Sequence, residues 1–108
     1  MREKENRKVV WSDTAREDMA GIGSCLAQME SYSIADKVLT DVEEAGKRLA
    51  YQALLWRVRE NVYPEARFVI VHSYVIVYIV EDAVTILRVV HGVRDIEAIF
   101  HTDDSPQL

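Results

Sequence analysis

Two apolar, strand-length segments joined by one acidic turn constrain the fold of this 108-residue chain more than any other feature. Residues 74–80 and 83–90 are rich in β-branched and aromatic side chains, which favour strands. Glu81 and Asp82 between them predict a tight hairpin turn. Because both faces of this hairpin are apolar, we expect helices to cover one face and another layer to cover the other.

Two amphipathic helices are predicted before the hairpin, because apolar residues recur there at three- and four-residue spacing. Ser12 is expected to cap the first helix, and Ser33 with Asp36 resembles a capping box for the second. The first apolar stripe consists of Ala15, Met19, Ile22, Leu26 and Met29. The second consists of Ala35, Val38, Leu39, Val42, Ala45 and Leu49. The short connection between them predicts an antiparallel helical hairpin.

Shorter segments complete the expected fold. Residues 8–11 and 67–72 predict further strands, and residues 94–100 predict a short C-terminal helix. The order is strand, helix, helix, three strands and short helix. It predicts an α+β fold in which an N-terminal helical hairpin packs on a mostly antiparallel sheet of about four strands.

Length, charge and cysteine content limit the number of domains, the binding partners and the compartment that we expect. We expect one domain over residues 8–100, flanked by flexible residues 1–7 and 101–108. The net charge of -5 argues against direct DNA binding by this chain, because binding to phosphates requires a concentration of Lys and Arg. A single cysteine and a polar start without an apolar leader predict a cytoplasmic, soluble protein.

No cofactor or metal site is predicted from local spacing. His72, His91 and His101 share no ligand spacing with one another or with Cys25, and no glycine-rich phosphate loop is present. Cys25 lies beside the first apolar stripe and is expected to be a small buried residue.

Two polar residues stand out in the apolar hairpin. His91 either bonds to nearby backbone or belongs to a contact or active surface, since a histidine titrates near neutrality. Arg88 lies inside an apolar strand and must be paired. Its partner is either a carboxylate of this chain, such as Asp95 or Glu97, or an acidic group on a binding partner. We expect Tyr74 to pack against a side chain of the neighbouring strand rather than to stack on a nucleic-acid base.

Four sequence segments, taken together, resemble one known family. They are VVWSDTAREDMAGI at residues 9–22, YSIADKV at 32–38, YVIVY at 74–78 and ILRVVHGVRD at 86–95. In this order and spacing they resemble the RelE/ParE superfamily of type II toxin–antitoxin toxins. The resemblance extends over residues 9–100 and implies the fold predicted above.

The superfamily contains two activities. RelE-like members are metal-independent, ribosome-dependent mRNA endonucleases, whereas ParE-like members poison DNA gyrase and are not nucleases. Where a RelE-like toxin carries an arginine after the strand tyrosine, this chain has Val75, and in place of the C-terminal tyrosine it has Phe100. Neither side chain can transfer a proton or stabilise charge on a cleaved phosphate. The ParE-like branch is therefore favoured, with no catalytic residue.

Two alternatives stay open beside that interpretation. An RNase site would depend on Arg94, which matches a catalytic-type arginine, together with His91 and Arg67. A non-toxic member of the superfamily would serve only to bind the antitoxin.

The resemblance also implies partners. A cognate ParD-like antitoxin would bind through its C-terminal segment, and DNA gyrase would be the target. We expect an apolar groove between the helical hairpin and the sheet to receive that segment. The candidate antitoxin-binding residues are Arg57, Arg67, Arg88 and Tyr74. Because 49% of its residues are hydrophobic, we expect the chain to have apolar surface that a partner covers.

Overall fold

The computed structural model describes residues 6–56, 58 and 65–92. Within them, the order of elements predicted from the sequence is confirmed, with strand bounds that shift by a residue. The elements are β1 (Val9–Trp11), α1 (Asp13–Met29), α2 (Tyr32–Gln52), a short 3₁₀ helix (Ala53–Leu55), β2 (Arg67–Val71), β3 (Tyr74–Val80) and β4 (Val84–His91). The predicted helix over residues 94–100 and the tail 101–108 lie outside the described residues.

The four strands form one mixed sheet in the order β1-β4-β3-β2. β3 pairs antiparallel with both β2 and β4, whereas β1 pairs parallel with β4, with Val9 opposite Val84. The two helices pack on this sheet, so the predicted α+β fold is confirmed.

A serine side chain caps the N-terminus of each helix. Ser12 accepts a hydrogen bond from the Ala15 backbone N–H at 3.0 Å, as predicted. In α2 the cap is Ser31, which accepts from the Ile34 N–H at 3.1 Å, so the predicted Ser33–Asp36 capping box is wrong. Ser31 has the extended backbone of a cap residue, and Ser33 already lies inside the helix.

The first core lies between the helical hairpin and the sheet. The α2 stripe is buried at every position except Leu39, whereas the α1 stripe is fully buried only at Ala15, and Met29 is 75% exposed. Met29 is the last residue of α1 and does not belong to this core. The fully buried members of the first core include Val42, Leu49, Ile76, Tyr78, Val84 and Ile86.

A second core covers the opposite face of the sheet. Along β3, Val75 and Val77 belong to this core while Ile76 and Tyr78 belong to the first, as alternation along a strand requires. Its members are Ala66, Phe68, Val75, Val77 and Val90, with Ile79 and Leu87 packed against them. The prediction that both faces of the hairpin are removed from water is therefore confirmed.

Candidate functional site

A β-bulge interrupts the central hairpin beside α1. Val77 pairs with Arg88 but Tyr78 pairs with Ile86, so Leu87 has no partner on β3. A bulge changes the side-chain alternation of its strand. As a result both Arg88 and Val89 reach the helical side of the sheet: Arg88 contacts Asp18 of α1, and Val89 belongs to the first core.

Asp18 binds this bulge through its carboxylate. Its two oxygens accept from Arg88 Nε at 2.8 Å and Nη2 at 3.0 Å, and Oδ2 also accepts from the Val89 backbone N–H at 2.9 Å. Ser12 Oγ donates to the Leu87 carbonyl at 3.0 Å. The hydrogen bonds to Asp18 raise the pKa of Arg88. The start and middle of α1 are thereby attached to the irregular part of β4.

Arg88 is paired, as predicted, but its partner is a residue that the sequence analysis did not consider. Asp95 and Glu97, the partners considered, lie outside the described residues, and the guanidinium is held by Asp18 instead. A signal was available, because Asp18 is three residues after Ala15 and four before Ile22. That spacing places a carboxylate on the buried side of α1.

Tyr74 and His91 meet at one end of the sheet. They are cross-strand partners, with ring centroids 5.0 Å apart in an edge-to-face arrangement. This confirms the cross-strand packing expected of Tyr74, and burial raises the pKa of its phenol. His91 itself is exposed. Cys25, predicted to be buried, is exposed on α1 with its Sγ 3.7 Å from Met29 Sδ.

Arg67 lies at the other end of the sheet. It pairs with Tyr78 across β2 and β3, and its Nη1 donates to the Trp56 carbonyl. Tyr74 and Tyr78 are four residues apart on β3, or about 13 Å at the usual rise of a strand. The structure therefore does not bring together Arg67 and His91, two of the three residues of the alternative RNase site. The third, Arg94, and the candidate Arg57 lie outside the described residues.

A cluster of exposed apolar side chains follows α2, in a segment that sequence analysis did not single out. Four of the six residues from 51 to 56 are large, apolar and at least 42% exposed. We call them the Trp56 patch: Tyr51, Leu54, Leu55 and Trp56. The signal for it was the continuation of apolar residues beyond the α2 stripe.

The predicted groove between helical hairpin and sheet is occupied by the first core. Val42, Leu49 and Ile86 at that interface are at most 1% exposed. Among the described residues, open clefts lie instead between α1 and α2. A cleft of about 720 Å³ near the hairpin turn includes Gly23 and Leu39 in its lining. A second, of about 370 Å³, is lined by Trp11, Arg16, Met19, Glu43 and Lys47.

The described residues contain neither a candidate metal site nor a helix that could span a membrane. No group of three or more His, Cys, Asp or Glu within the described residues could hold a metal ion. None of the helices in the described part of the chain is both long and apolar enough to cross a bilayer.

Comparisons with known proteins identify relatives of this fold. A family model described as "ParE toxin of type II toxin-antitoxin system, parDE" matches residues 9–96. No curated protein matches the chain. A solved structure titled "Chromosomal ParDE TA system from P. aeruginosa" contains a similar chain, with a TM-score of 0.73 and 20% identity. The match covers 82% of this chain and 99% of that one. At that identity the likeness shows a shared fold.

Proposed function

The chain belongs to the ParE toxin family of type II toxin–antitoxin systems, and on that premise we propose that it inhibits DNA gyrase and is neutralised by a cognate antitoxin. Membership of the family implies an antitoxin as partner. The proposal adds that this antitoxin binds through its C-terminal segment and that gyrase is the target.

Gyrase inhibition is favoured over RNA cleavage because the candidate catalytic groups lie far apart. Cleavage needs an acid–base pair and a charge stabiliser within hydrogen-bond reach of one phosphate. Arg67 and His91 lie at opposite ends of the sheet. Both carboxylate oxygens of Asp18 hold Arg88, and Val75 is a 1% exposed residue of the second core. This arrangement supports a protein that acts by binding.

The charge of the chain supports the same choice. A net charge of -5 opposes an electrostatic grip on DNA or mRNA, so the toxin would reach gyrase through protein contacts. Contact with nucleic acid would then come through the enzyme it inhibits.

The proposed function is tested by two assays run on one preparation of purified full-length chain. Supercoiling and DNA cleavage by gyrase are measured in the first, and mRNA cleavage on translating ribosomes in the second. We expect lost supercoiling, accumulated broken DNA and intact transcripts, all reversed by adding the antitoxin. Cut transcripts with unaffected gyrase would establish the RNase alternative instead. No effect in either assay, with antitoxin binding retained, would identify a non-toxic member of the family.

A further inference from the structure

The Trp56 patch is a continuous exposed apolar surface at the end of α2. Tyr51, Leu54, Leu55 and Trp56 are 66%, 55%, 71% and 42% exposed. Leu54 and Leu55 follow Tyr51 by three and four residues, so they continue one outward face of α2 into the 3₁₀ helix. Single exposed apolar residues are common, but a contiguous group marks an interaction surface. We propose that two copies of this chain associate through the Trp56 patch, an inference that goes beyond the proposed function and does not depend on it.

The area of the patch is sufficient for a symmetric dimer. Aromatic side chains bury about 150–250 Å² each, so at these exposures the four residues present roughly 500 Å² of accessible surface. The largest apolar patch on a typical monomer is about 300–600 Å² and is often functional. In a two-fold contact each copy supplies the same surface. Two copies would therefore bury roughly 1,000 Å² in total, the size at which specific interfaces begin, and we expect a reversible dimer.

The backbone beneath the patch is fixed by the sheet. The buried Tyr78 hydroxyl donates to the Ala53 carbonyl at 2.6 Å, and Arg67 donates to the Trp56 carbonyl. Ala53 is 2% exposed, so the short 3₁₀ helix is anchored while the side chains on either side of it face solvent. A surface held in this way loses little conformational entropy when a second copy binds.

The charges beside the patch nearly cancel, so they do not oppose self-association. On α2, Glu44 and Lys47 form an ion pair at 3.7 Å, and Arg48 follows four residues after Glu44. Beyond the patch, Glu65 lies two residues before Arg67, which is bound to the last carbonyl of the patch. These described residues comprise three cations and two carboxylates. A two-fold axis through the patch therefore brings no strong like charge against itself.

A second exposed apolar group, at the other end of α2, is less suited to a symmetric contact. Three residues there are 75%, 83% and 44% exposed: Met29, Tyr32 and Ile34. Glu30 lies among them in the sequence, and Asp36 lines the adjacent cleft. Lys37 is next to Asp36 but donates to a third carboxylate, Asp41, at 3.2 Å. The local balance is negative, so a two-fold contact there would bring like charges together, and charge selects the Trp56 patch.

Analytical ultracentrifugation of the purified full-length chain, without antitoxin, tests the association. We expect the average mass to rise with concentration from that of one chain to that of two. Leu55→Glu and Trp56→Ala should each weaken the dimer Kd by about tenfold or more, as for residues central to an interface. Met29→Glu and Tyr32→Ala are matched controls on the other exposed apolar group and should stay within about twofold of the wild-type Kd. Circular dichroism melting checks that each variant is folded.

Salt dependence tests whether the contact is apolar. Raising the salt from about 0.05 to 0.5 M screens exposed charges, and it should leave the dimer Kd within about threefold or tighten it. A Kd weakened by about tenfold over that range would overturn the proposal, because ion pairs would then hold the dimer together.

Two further results would overturn the proposal. One is a wild-type chain that stays monomeric up to about millimolar concentration, where even weak specific contacts form. The other is a dimer that the Leu55 and Trp56 variants leave intact, or that only the Met29 and Tyr32 variants dissociate. None of these measurements involves gyrase or an antitoxin, so their outcome is independent of the proposed function.

A spectroscopic readout locates the contact directly. The chain has two tryptophans, and Trp11→Phe leaves Trp56 alone, so fluorotryptophan labelling gives two assignable ¹⁹F signals. As the concentration rises, the Trp56 signal should shift with the same midpoint as the change in mass, and the Trp11 signal should stay in place. A Trp56 signal that does not change while the mass doubles would overturn the proposal, since the dimer would then use another surface.

Discussion

The Asp18 carboxylate holds the Arg88 guanidinium through two hydrogen bonds, of 2.8 and 3.0 Å, across the boundary between α1 and the bulge in β4. The two residues are 70 positions apart in the chain. Their side chains are 14% and 25% exposed, so the pair is shielded from most solvent. It joins the helical layer to the sheet at the point where the strand ladder is irregular.

Removing that carboxylate should destabilise the fold. Asp18→Ala leaves the Arg88 guanidinium and the Val89 N–H without their acceptor, at a cost of about 2 kcal/mol in the free energy of unfolding. Urea denaturation measures the loss. Glu17→Ala is the matched control on the exposed side of α1 and should change stability by less than about 0.5 kcal/mol. Equal effects of the two variants would contradict this account.

Two glycine substitutions on the helices should act in opposite directions. A Cβ at Gly46 would lie 2.6 Å from the Trp11 ring, so Gly46→Ala should destabilise by about 1–3 kcal/mol despite its better helix propensity. Gly21 has no atom within 4 Å of that position, so Gly21→Ala should stabilise by about 0.5–1 kcal/mol. Thermal unfolding of both variants checks the signs. A stabilised Gly46 variant would show that Trp11 can move aside at little cost.

The buried hydroxyl of Tyr78 should be needed for the short 3₁₀ helix. Tyr78→Phe leaves the Ala53 carbonyl without its donor and should cost about 1–2 kcal/mol of stability. Burial raises the pKa of this phenol, so the stability linked to its protonated form is present at neutral pH and is lost as the pH rises. In an alkaline ultraviolet titration, Tyr78 should ionise only as the protein unfolds. Ionisation together with the exposed tyrosines, while the chain stays folded, would contradict its burial.

The hydrogen bond between Asp41 of α2 and His72 of the β2–β3 turn should make the stability of the protein depend on pH in the acid range. The hydrogen bond from His72, at 2.7 Å, and then that from Lys37 lower the pKa of Asp41. A lowered pKa adds stability above the value in the unfolded chain, and this stability is lost as the pH falls through the folded value. The difference in urea midpoint between wild type and Asp41→Asn should therefore shrink on acidification. In a His72→Gln background the pH dependence of that difference should be smaller, and an unchanged dependence would remove His72 as the cause.

Local patterns were sufficient for the order of the elements. The two helices, the Ser12 cap and the apolar strands were predicted from windows of a few residues, and the structure confirms them. The same windows could not choose between Ser31 and Ser33 as the second cap, because both serines precede the same stripe. The Trp56 patch was missed because periodicity identifies a buried face and does not show which remaining apolar residues stay uncovered.

The sequence by itself determined the elements of this protein and the apolar character of both sheet faces, because side-chain periodicity is a property of neighbouring residues. Only the tertiary structure decided that β1 lies parallel to β4, that Leu87 forms a bulge and that Asp18 meets Arg88. It also decided that Arg67 and His91 lie at opposite ends of the sheet. Strand register and helix docking depend on packing between residues far apart in the chain, and no local pattern encodes that packing.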